Sequence, residues 1–513
     1  MWLISVIHSF VVMITSTYSY RILGIVPAPS YSHQIVFQPL WRELSLKGHK
    51  VTVLTTNPMN NPSLINLTEI NLNSTYEIWN SSIITEMVNV STWELYNKII
   101  KLGYEVFDKQ LQHSEVQDIL VNKTDGFDLV LVETVFSSMI AFSKKLKCPL
   151  IQLFSLDGTS FNYHGIGNPS HPATHPDFLL PFSGRLTFFQ RLISTAYLSF
   201  TYYIDTFHIA PFQELLVKRY FGKDYPSLNE LLRTTSGIFV NTDNAFRETR
   251  PLLMSVAQIG GGIHMKLPKP LPKNLQNYLD NATNGAIYFS LGSNIKSKLL
   301  SDETRNILLE TFSELPYTVF WKFEQDDLPG KPDNVIIYKW FPQQDVFRHP
   351  KIKLVISQGG LQSTEEALLS HIPIVGIPFI GDQHHNIHRL VQKGVGLSVD
   401  YSNINKKSLK NAILEVMNNP KYRERVKELA TLARDEPMTG LERGVWWTEY
   451  IIRHRGAKHL RSPALDLHFY EYFCLDVISF MLLTSIGFIY IFFKSVKLSF
   501  NVIKSVLLKP AVN

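Results

Sequence analysis

Two turns in the second half of the chain could bind a phosphate group. They lie at Ser290–Ser293 and Gln358–Gly360, and each follows a strand-like run and precedes a helical pattern. A helix that begins after a strand offers free backbone N–H groups and the positive end of its dipole to an anion. Two such turns suit a pyrophosphate, and the Ser363 hydroxyl could join the second. However, Ser363 and Glu366 also have the S-x-x-E spacing of a capping box, which explains both without a ligand.

A histidine near the start of the chain could act as a base. His33 follows the strand-like run 21–27 and stands at the start of a helical pattern, on the cleft side of the predicted sheet. An imidazole with its usual pKa of about 6.5 can accept a proton at neutral pH. A lone histidine is nevertheless more often a surface or capping residue.

Strand-like and helical patterns alternate along most of the chain. Strands are predicted at 21–27, 50–56, 127–134, 149–155 and 237–243, and a second series begins with 286–293 and ends with 395–400. Such alternation predicts an α/β protein with parallel sheets covered by helices. We expect two Rossmann-like doubly wound domains, 20–245 and 285–470, facing a cleft. The segment 246–284 loses periodicity, contains several prolines and three consecutive glycines, and is predicted to be the interdomain linker.

The segment WFPQQDVFRHPKIKLVISQGGLQSTEEALLSHIPIVGIPFIGDQHHN, 340–386, resembles the signature of the UDP-glycosyltransferases, membrane-bound enzymes of the GT-B fold (glycosyltransferase family 1). FSLGS at 289–293, GGIHMKLPKPLPK at 261–273 and ERGVWWTEYIIRHRGAKHL at 442–460 resemble the same family. The likeness therefore covers nearly the whole chain. It is greatest to the invertebrate membrane-bound UDP-glucosyltransferases.

The resemblance implies roles at a donor site. Trp340 matches the indole that stacks on uracil, Gln343 would help to hold the nucleoside, and Glu366 matches the carboxylate that accepts the ribose hydroxyls. Asp382 and Gln383 would bind the sugar hydroxyls. From residue type alone, Trp340 could be a core aromatic, and Asp382 and Gln383 could be helix caps. The complete predicted UDP-sugar site consists of Ser290, Gly292, Ser293, Trp340, Gln343, Gln358, Gly359, Gly360, Ser363, Glu366, Asp382 and Gln383.

The resemblance also implies the catalytic pair. His33 matches the general base that takes the acceptor's hydroxyl proton, and Glu133 matches the partner aspartate that orients the imidazole. Glu133 is one methylene longer than aspartate, and it could instead be a strand-end carboxylate in solvent. Gln358 stands where many members have histidine. Its amide can still donate a hydrogen bond but carries no charge, so a small loss of donor affinity is expected.

No metal or other cofactor is expected, because the chain has no D-x-D triplet and the UDP-sugar is a co-substrate. His384, His385 and His388 could place two imidazoles on one helical face, but the region already has a role at the donor site, and an exposed helix is the preferred explanation. The 50 basic and 44 acidic residues are spread thinly, so a nucleic-acid partner is not expected. Two cysteines, Cys148 and Cys474, do not suggest a disulfide framework.

The two ends of the chain predict a membrane-anchored protein. The apolar run 3–14 followed by small residues indicates a signal peptide at 1–19. Residues 473–493 form a predicted transmembrane helix, with a short basic cytosolic tail at 494–513. Six N-x-S/T sequons precede the span and favour a lumenal, single-pass type I body: Asn66, Asn73, Asn80, Asn89, Asn122 and Asn281. Residence in the endoplasmic reticulum is implied only by the resemblance to the family. Both a homo-oligomer and a hetero-oligomer are compatible with the sequence.

Together these features predict inverting transfer of a hexose, glucose in the first instance, from a UDP-sugar to a hydroxyl of small lipophilic acceptors, as in detoxification. Glucuronate as the transferred sugar is one alternative, and a catalytically weak UDP-sugar-binding partner subunit is another. The aromatic-rich segment 154–221 is predicted to line an apolar acceptor pocket, unless its rings form core or rest on the membrane.

Overall fold

The computed structural model describes residues 19–79, 92–122 and 126–507. Within them, the chain up to Arg461 forms one compact unit and the chain from Ser462 onward forms another. Residues 1–18 of the predicted signal peptide and the sequons at Asn80 and Asn89 lie outside the described residues.

The first half of the larger unit is built on a parallel sheet, with seven strands among the residues described. In chain order they are β1 (Arg21–Val26), β2 (Lys50–Thr55), β3 (Leu67–Asn71), β4 (Leu129–Glu133), β5 (Leu150–Phe154), β6 (Gly237–Val240) and β7 (Val256–Gln258). Their order in the sheet is β3-β2-β1-β4-β5-β6-β7. The accompanying helices are α1 (Tyr31–Leu46), α2 (Thr92–Leu111), α3 (Ser114–Asn122), α4 (Ala141–Leu146), α5 (Ser160–Gly165), α6 (Phe188–Ile204), α7 (Ala210–Phe221) and α8 (Leu228–Leu232).

The second half repeats this plan with a parallel sheet of six strands within the described ranges. They are β8 (Ala286–Ser290), β9 (Thr318–Lys322), β10 (Val335–Tyr338), β11 (Ile352–Ser357), β12 (Ile374–Gly376) and β13 (Gly396–Ser398), in the order β10-β9-β8-β11-β12-β13. The helices are α9 (Lys273–Asp280), α10 (Asp302–Ser313), α11 (Gln343–Phe347), α12 (Leu361–Leu369), α13 (Gln383–Gln392), α14 (Lys406–Asn418), α15 (Pro420–Arg434) and α16 (Gly440–Arg453). The predicted α/β class with two doubly wound sheets is confirmed.

Alternate residues of each central strand enter different cores. In β4, Leu129 and Leu131 join the cluster on one face of the sheet, while Val130 and Val132 join the cluster on the other. Because successive side chains of a strand point to opposite faces, a strand covered on both sides must be apolar throughout. This explains why the central strands read as continuous apolar runs.

The connection between the two sheets is more structured than its sequence suggests. The predicted linker, 246–284, contributes β7 to the edge of the first sheet and also contains α9. At the end of the larger unit, α16 returns to the first half, where Val445 and Ile451 pack in one cluster with Ile22. The predicted second domain, 285–470, therefore includes a helix, α16, that belongs to the core of the first half. The apolar side of α16 covers the first sheet.

The smaller unit contains α17 (Phe469–Tyr472) and the long helix α18 (Leu475–Leu507). Residues Leu475–Ser505 are long and apolar enough to cross a membrane, judged by length and composition. The helix extends beyond the predicted span 473–493 into the predicted tail 494–513. No proline occurs there before Pro510, and lysine is a good helix former, so the sequence gives the helix no reason to end at Phe493.

Candidate active site

Both sheets bring their candidate residues to the points where the strand order changes direction. In the first sheet β1 lies beside β4, and in the second β8 lies beside β11. The chain leaves such neighbouring strands on opposite sides, so their carboxyl ends open a crevice for ligands. His33 follows β1 and Glu133 ends β4, whereas Ser290 ends β8 and Gln358 follows β11.

His33 and Glu133 form the expected pair. His33 Nδ1 lies 2.5 Å from Glu133 Oε1 and 2.9 Å from Ser155 Oγ. Glu133 is fully buried, so it is not a solvent-exposed strand-end carboxylate, while the imidazole keeps 21% of its surface exposed. Burial lowers the pKa of His33, but the charge of Glu133 and the hydrogen bond to it outweigh burial and raise that pKa. His33 Nε2 has no hydrogen-bond partner among the described residues and is available to a substrate.

A cavity of about 340 Å³ extends from His33 to the second sheet. Two hydrogen bonds cross between the two halves beside it, from Ser30 Oγ to Asn294 Oδ1 at 3.3 Å and from Gln362 Nε2 to the Ser155 carbonyl at 3.0 Å. Of the predicted site residues, these line the cavity: His33, Ser290, Gly292, Ser293, Trp340, Gln343, Gln358, Gly360, Ser363, Glu366, Asp382 and Gln383. Glu133 and Gly359 do not line the cavity.

Trp340 lines the cavity as an exposed ring. Its exposed fraction is 55%, so it is not a core aromatic. The edge of Tyr31, from the first half of the chain, meets it at a centroid distance of 5.4 Å. Lys322 Nζ lies 5.4 Å from the indole centroid and also donates to the Gly292 carbonyl at 3.0 Å. The cation lies over the ring, and the exposed part of the indole is suited to stacking against a planar base.

Glu366 is the centre of a buried hydrogen-bond network. Gln343 Nε2 donates to Glu366 Oε2 at 2.6 Å, and Gln344 Nε2 donates to Oε1 at 2.8 Å. His264 Nε2 lies 3.2 Å from Oε1. Burial raises the pKa of Glu366, but the nearby His264 together with the two amides outweighs it, and the pKa is lowered. Glu366 is therefore an ionised hydrogen-bond acceptor at neutral pH.

Helix α12 begins without a side-chain cap. Gly360 is its N-cap residue, and Ser363 is its third residue. The capping-box interpretation of Ser363 and Glu366 is therefore wrong, since both lie inside the helix and each accepts a hydrogen bond from Gln343. The first N–H groups of α12 have no side-chain cap and belong to residues on the cavity wall. Such a terminus favours an anion.

The two predicted phosphate turns are alike at their start. Ser290 and Ser357 are paired in the sheet, and their hydroxyls accept from the N–H groups of Gly292 at 3.1 Å and Gly359 at 3.0 Å. These two N–H groups are thus already used. Gly359 has φ +87°, and a Cβ there would lie 2.6 Å from Ile387, so this glycine serves the close packing of α13.

The first turn does not lead into a helix. After β8 the chain forms a loop and a short 3-10 turn at Ser297–Leu299, and α10 begins only at Asp302, capped by Ser301. The predicted strand-to-helix turn at Ser290–Ser293 is therefore wrong, and only the turn at Gln358–Gly360 offers a helix terminus. Gly292 has φ +77°, and a Cβ there would collide with the Gln358 amide.

Asp382 and Gln383 lie at the start of α13. Asp382 is the N-cap residue but makes no capping bond, and its Oδ2 accepts from Asn386 Nδ2 at 2.6 Å. Gln383 Oε1 accepts from the N–H groups of Phe379 and Ile380, so this amide oxygen holds the preceding turn. Asp382 Oδ1 and the Gln383 NH₂ group have no hydrogen-bond partner among the described residues.

Several residues of the site escape prediction from the sequence. His264 is 1% exposed and approaches both Glu365 and Glu366, and Gln344 and Lys322 complete the surroundings of Glu366 and Trp340. Only their positions in the sequence could have indicated these residues. His264 lies in the GGIH segment, Gln344 follows Gln343, and Lys322 ends a buried strand.

Of the aromatic-rich segment 154–221, Leu156 alone lines the cavity, and none of the segment's aromatic rings does. Most aromatic rings of α6 are exposed, including Phe188, Phe189 and Tyr203. The prediction that the aromatic rings of this segment line an acceptor pocket therefore does not hold for this cavity. Among the described sequons, Asn73, Asn122 and Asn281 are exposed and Asn66 is half-buried.

Comparison with known proteins gives a consistent result. The sequence profile of the family described as "UDP-glucoronosyl and UDP-glucosyl transferase" matches residues 22–508. The chain is 36% identical over 488 residues to UDP-glucosyltransferase 2 of Dactylopius coccus, covering 94% of this chain and 93% of that protein. It is 31% identical over 486 residues to UDP-glucuronosyltransferase 2B1 of Rattus norvegicus, covering 90% of each. The solved structure of CalG4, the calicheamicin glycosyltransferase, matches with a TM-score of 0.59 at 16% identity over 85% of this chain and 99% of that one, a likeness of fold.

Proposed function

The chain belongs to the family of UDP-glucuronosyl and UDP-glucosyl transferases, and we propose that it transfers a hexose from a UDP-sugar to a hydroxyl of a small lipophilic acceptor. The observation that carries this proposal is the arrangement around one cavity. A histidine paired with a buried carboxylate stands on one side, and an exposed indole with an ionised carboxylate stands on the other.

In the proposed reaction, His33 Nε2 takes the proton of the acceptor hydroxyl while the hydroxyl oxygen attacks the anomeric carbon of the sugar. The bond from that carbon to the diphosphate oxygen breaks, and UDP leaves with the electron pair. Attack from the side opposite to UDP inverts the anomeric configuration. Glu133 holds the ring through Nδ1 and stabilises the imidazolium that forms, as in other carboxylate–histidine pairs.

The donor would lie against the second sheet. Trp340 offers its face to uracil, Glu366 accepts a ribose hydroxyl, and Asp382 and Gln383 face the hexose. The uncapped terminus of α12 and the Gln358 amide would donate to the diphosphate. Because these donors can offset part of the diphosphate charge, although Lys322 is already paired with Glu324 at 2.9 Å, we propose that transfer needs no metal ion.

We favour glucose as the sugar because the chain is 36% identical to UDP-glucosyltransferase 2 of Dactylopius coccus and 31% identical to UDP-glucuronosyltransferase 2B1 of Rattus norvegicus. We also propose a single-pass anchor through α18, with the catalytic body in the lumen of the endoplasmic reticulum and a role in detoxification. The apolar helix and the sequons that precede it support the topology.

The proposal is tested by measuring UDP release from membranes that contain the full chain. UDP-glucose and UDP-glucuronate are each offered with a panel of lipophilic phenols, beside the His33→Ala variant. We expect acceptor-dependent release from UDP-glucose that is lost in the variant, while UDP binding measured by displacement of labelled UDP persists. UDP binding without release from either donor would instead identify a donor-binding partner subunit.

A further inference from the structure

A second, smaller cavity lies apart from the proposed active site. Its volume is about 30 Å³, and no residue of its wall belongs to the first cavity. The wall combines Asp157, Arg247 and Arg250 from the first half of the chain with His385 and Arg389 from α13. The cavity thus joins the two halves through charged side chains.

Arg389 is the unusual member of this wall. It is 4% exposed, and its guanidinium makes no hydrogen bond or ion pair with any residue in the described ranges; its Nε is fully buried without a partner. Burial of an unpaired charge is strongly unfavourable in proteins. Burial, together with the nearby charge of Arg247, lowers the pKa of Arg389 to about 9. A guanidinium kept in such a place is expected to meet an anion.

The carboxylates of the wall do not supply that anion. Asp157 already receives Tyr163 OH at 2.6 Å, the Gly158 N–H at 2.8 Å and Arg250 Nη2 at 3.3 Å. Arg247 is 8% exposed, and it approaches Asp157 only to 3.8 Å.

The charges of the wall do not balance. Glu248 accepts from the Gly184 N–H at 2.6 Å. Burial, with the nearby charges of Arg389 and Arg247, lowers the pKa of His385 to about 3, so this imidazole is neutral. The wall itself therefore holds three guanidinium groups and two carboxylates; the charge of Asp243, which is not part of the wall, also acts on Arg389 and Arg247, but its Oδ1 accepts from the N–H groups of Ala245 and Phe246.

We propose that this cavity binds a small monovalent anion, of which chloride is the physiological representative. The guanidinium groups of Arg389 and Arg247, both on the wall, would hold it. A volume of about 30 Å³ holds roughly two water-sized probes and is too small for a polyatomic organic anion. The bound anion would fasten α13 to the first half, and the N-cap residue of α13 is Asp382 of the proposed active site.

The test is the melting temperature of the purified full-length chain in detergent as sodium chloride replaces sodium gluconate at constant ionic strength. We expect a saturable rise of roughly 2 to 4 °C that bromide reproduces, whereas sulfate, which stabilises folded proteins by exclusion from their surface, should give only a rise that does not saturate. In Arg389→Met the rise should vanish. In the control Arg305→Met, which removes an arginine paired with Asp302 on the surface of α10, it should be unchanged.

Two results would overturn the proposal: an equal rise with every sodium salt, which would show a general salt effect, or a saturable chloride response that persists in Arg389→Met. If Arg389→Met does not fold, the comparison of chloride, bromide, sulfate and gluconate on the unaltered chain decides alone. A lack of any response in that series would mean that water alone fills the cavity.

Discussion

Glu133→Gln is the most informative change at the proposed catalytic pair. Glu133 is fully buried, with Oε1 2.5 Å from His33 Nδ1, so glutamine preserves the shape and the hydrogen bond but removes the charge. The pKa of His33 is raised because Glu133 outweighs burial. Without that charge, burial dominates, and the pKa should fall below its ordinary value.

The pKa of His33 is raised in the unaltered enzyme and should be lowered in Glu133→Gln, so the two proteins should respond differently to acid. The base must be neutral, so the unaltered enzyme should lose activity as the pH falls through a His33 pKa above 6.5, and the variant should keep its own, lower activity to more acidic pH. The hydrogen bond to the charged partner is worth about 1.5 to 3 kcal/mol when imidazolium forms, which corresponds to a roughly 10- to 150-fold lower turnover number. Loss of tautomer control could add to this.

The assay is the initial rate of UDP release between about pH 5.5 and 9 at saturating UDP-glucose, with UDP affinity measured in parallel. UDP affinity should not change, since Glu133 does not line the cavity. A variant whose turnover stays within about twofold, with an unmoved acidic limb, would refute the role of the pair.

Three further changes probe the donor site. Trp340→Ala should weaken UDP binding by roughly 5- to 150-fold in calorimetric titration, the range expected for about 1 to 3 kcal/mol of base stacking, whereas Trp340→Phe should keep most of the affinity. Gln358→His should lower KM for the UDP-sugar about fivefold at a pH where histidine is protonated, because a charged donor replaces a neutral one, and no change would mean that residue 358 does not reach the diphosphate. Excess EDTA should leave turnover unaltered, and a loss that Mg²⁺ restores would contradict metal-free transfer.

The sequence predicted the sheets well and the connections poorly. Short apolar runs such as 129–132, bounded by polar residues, are typical of strands buried on both faces, so their class and order of appearance could be predicted. The edge strand β3, with a half-exposed LTEIN sequence, has no such run. The strand β7, only three residues long, depends on pairing with β6 and not on its own pattern.

The residues of the site likewise divide into those that the sequence predicted and those that it did not. Most residues that could be found lie in the segment 340–386, such as Trp340 and Gln358, while His33 and Glu133 were found through the family resemblance at the ends of two predicted strands. Residues that were missed, such as His264 and Lys322, reach the site from other segments through the fold. The capping-box spacing at Ser363 misled because it identifies a helix start only if the helix begins there, and α12 begins two residues earlier.

The network around Glu366 indicates how donor binding must proceed. Oε1 already meets Gln344 and His264, and Oε2 meets Gln343, so one acceptor position on Oε2 is open to a ribose hydroxyl. Gln343 is itself fixed by Tyr288 OH, which donates to its Oε1 at 3.0 Å. The carboxylate is therefore ionised and oriented before the donor arrives, and a ribose hydroxyl can be accepted without first breaking the bonds that hold Glu366 in place.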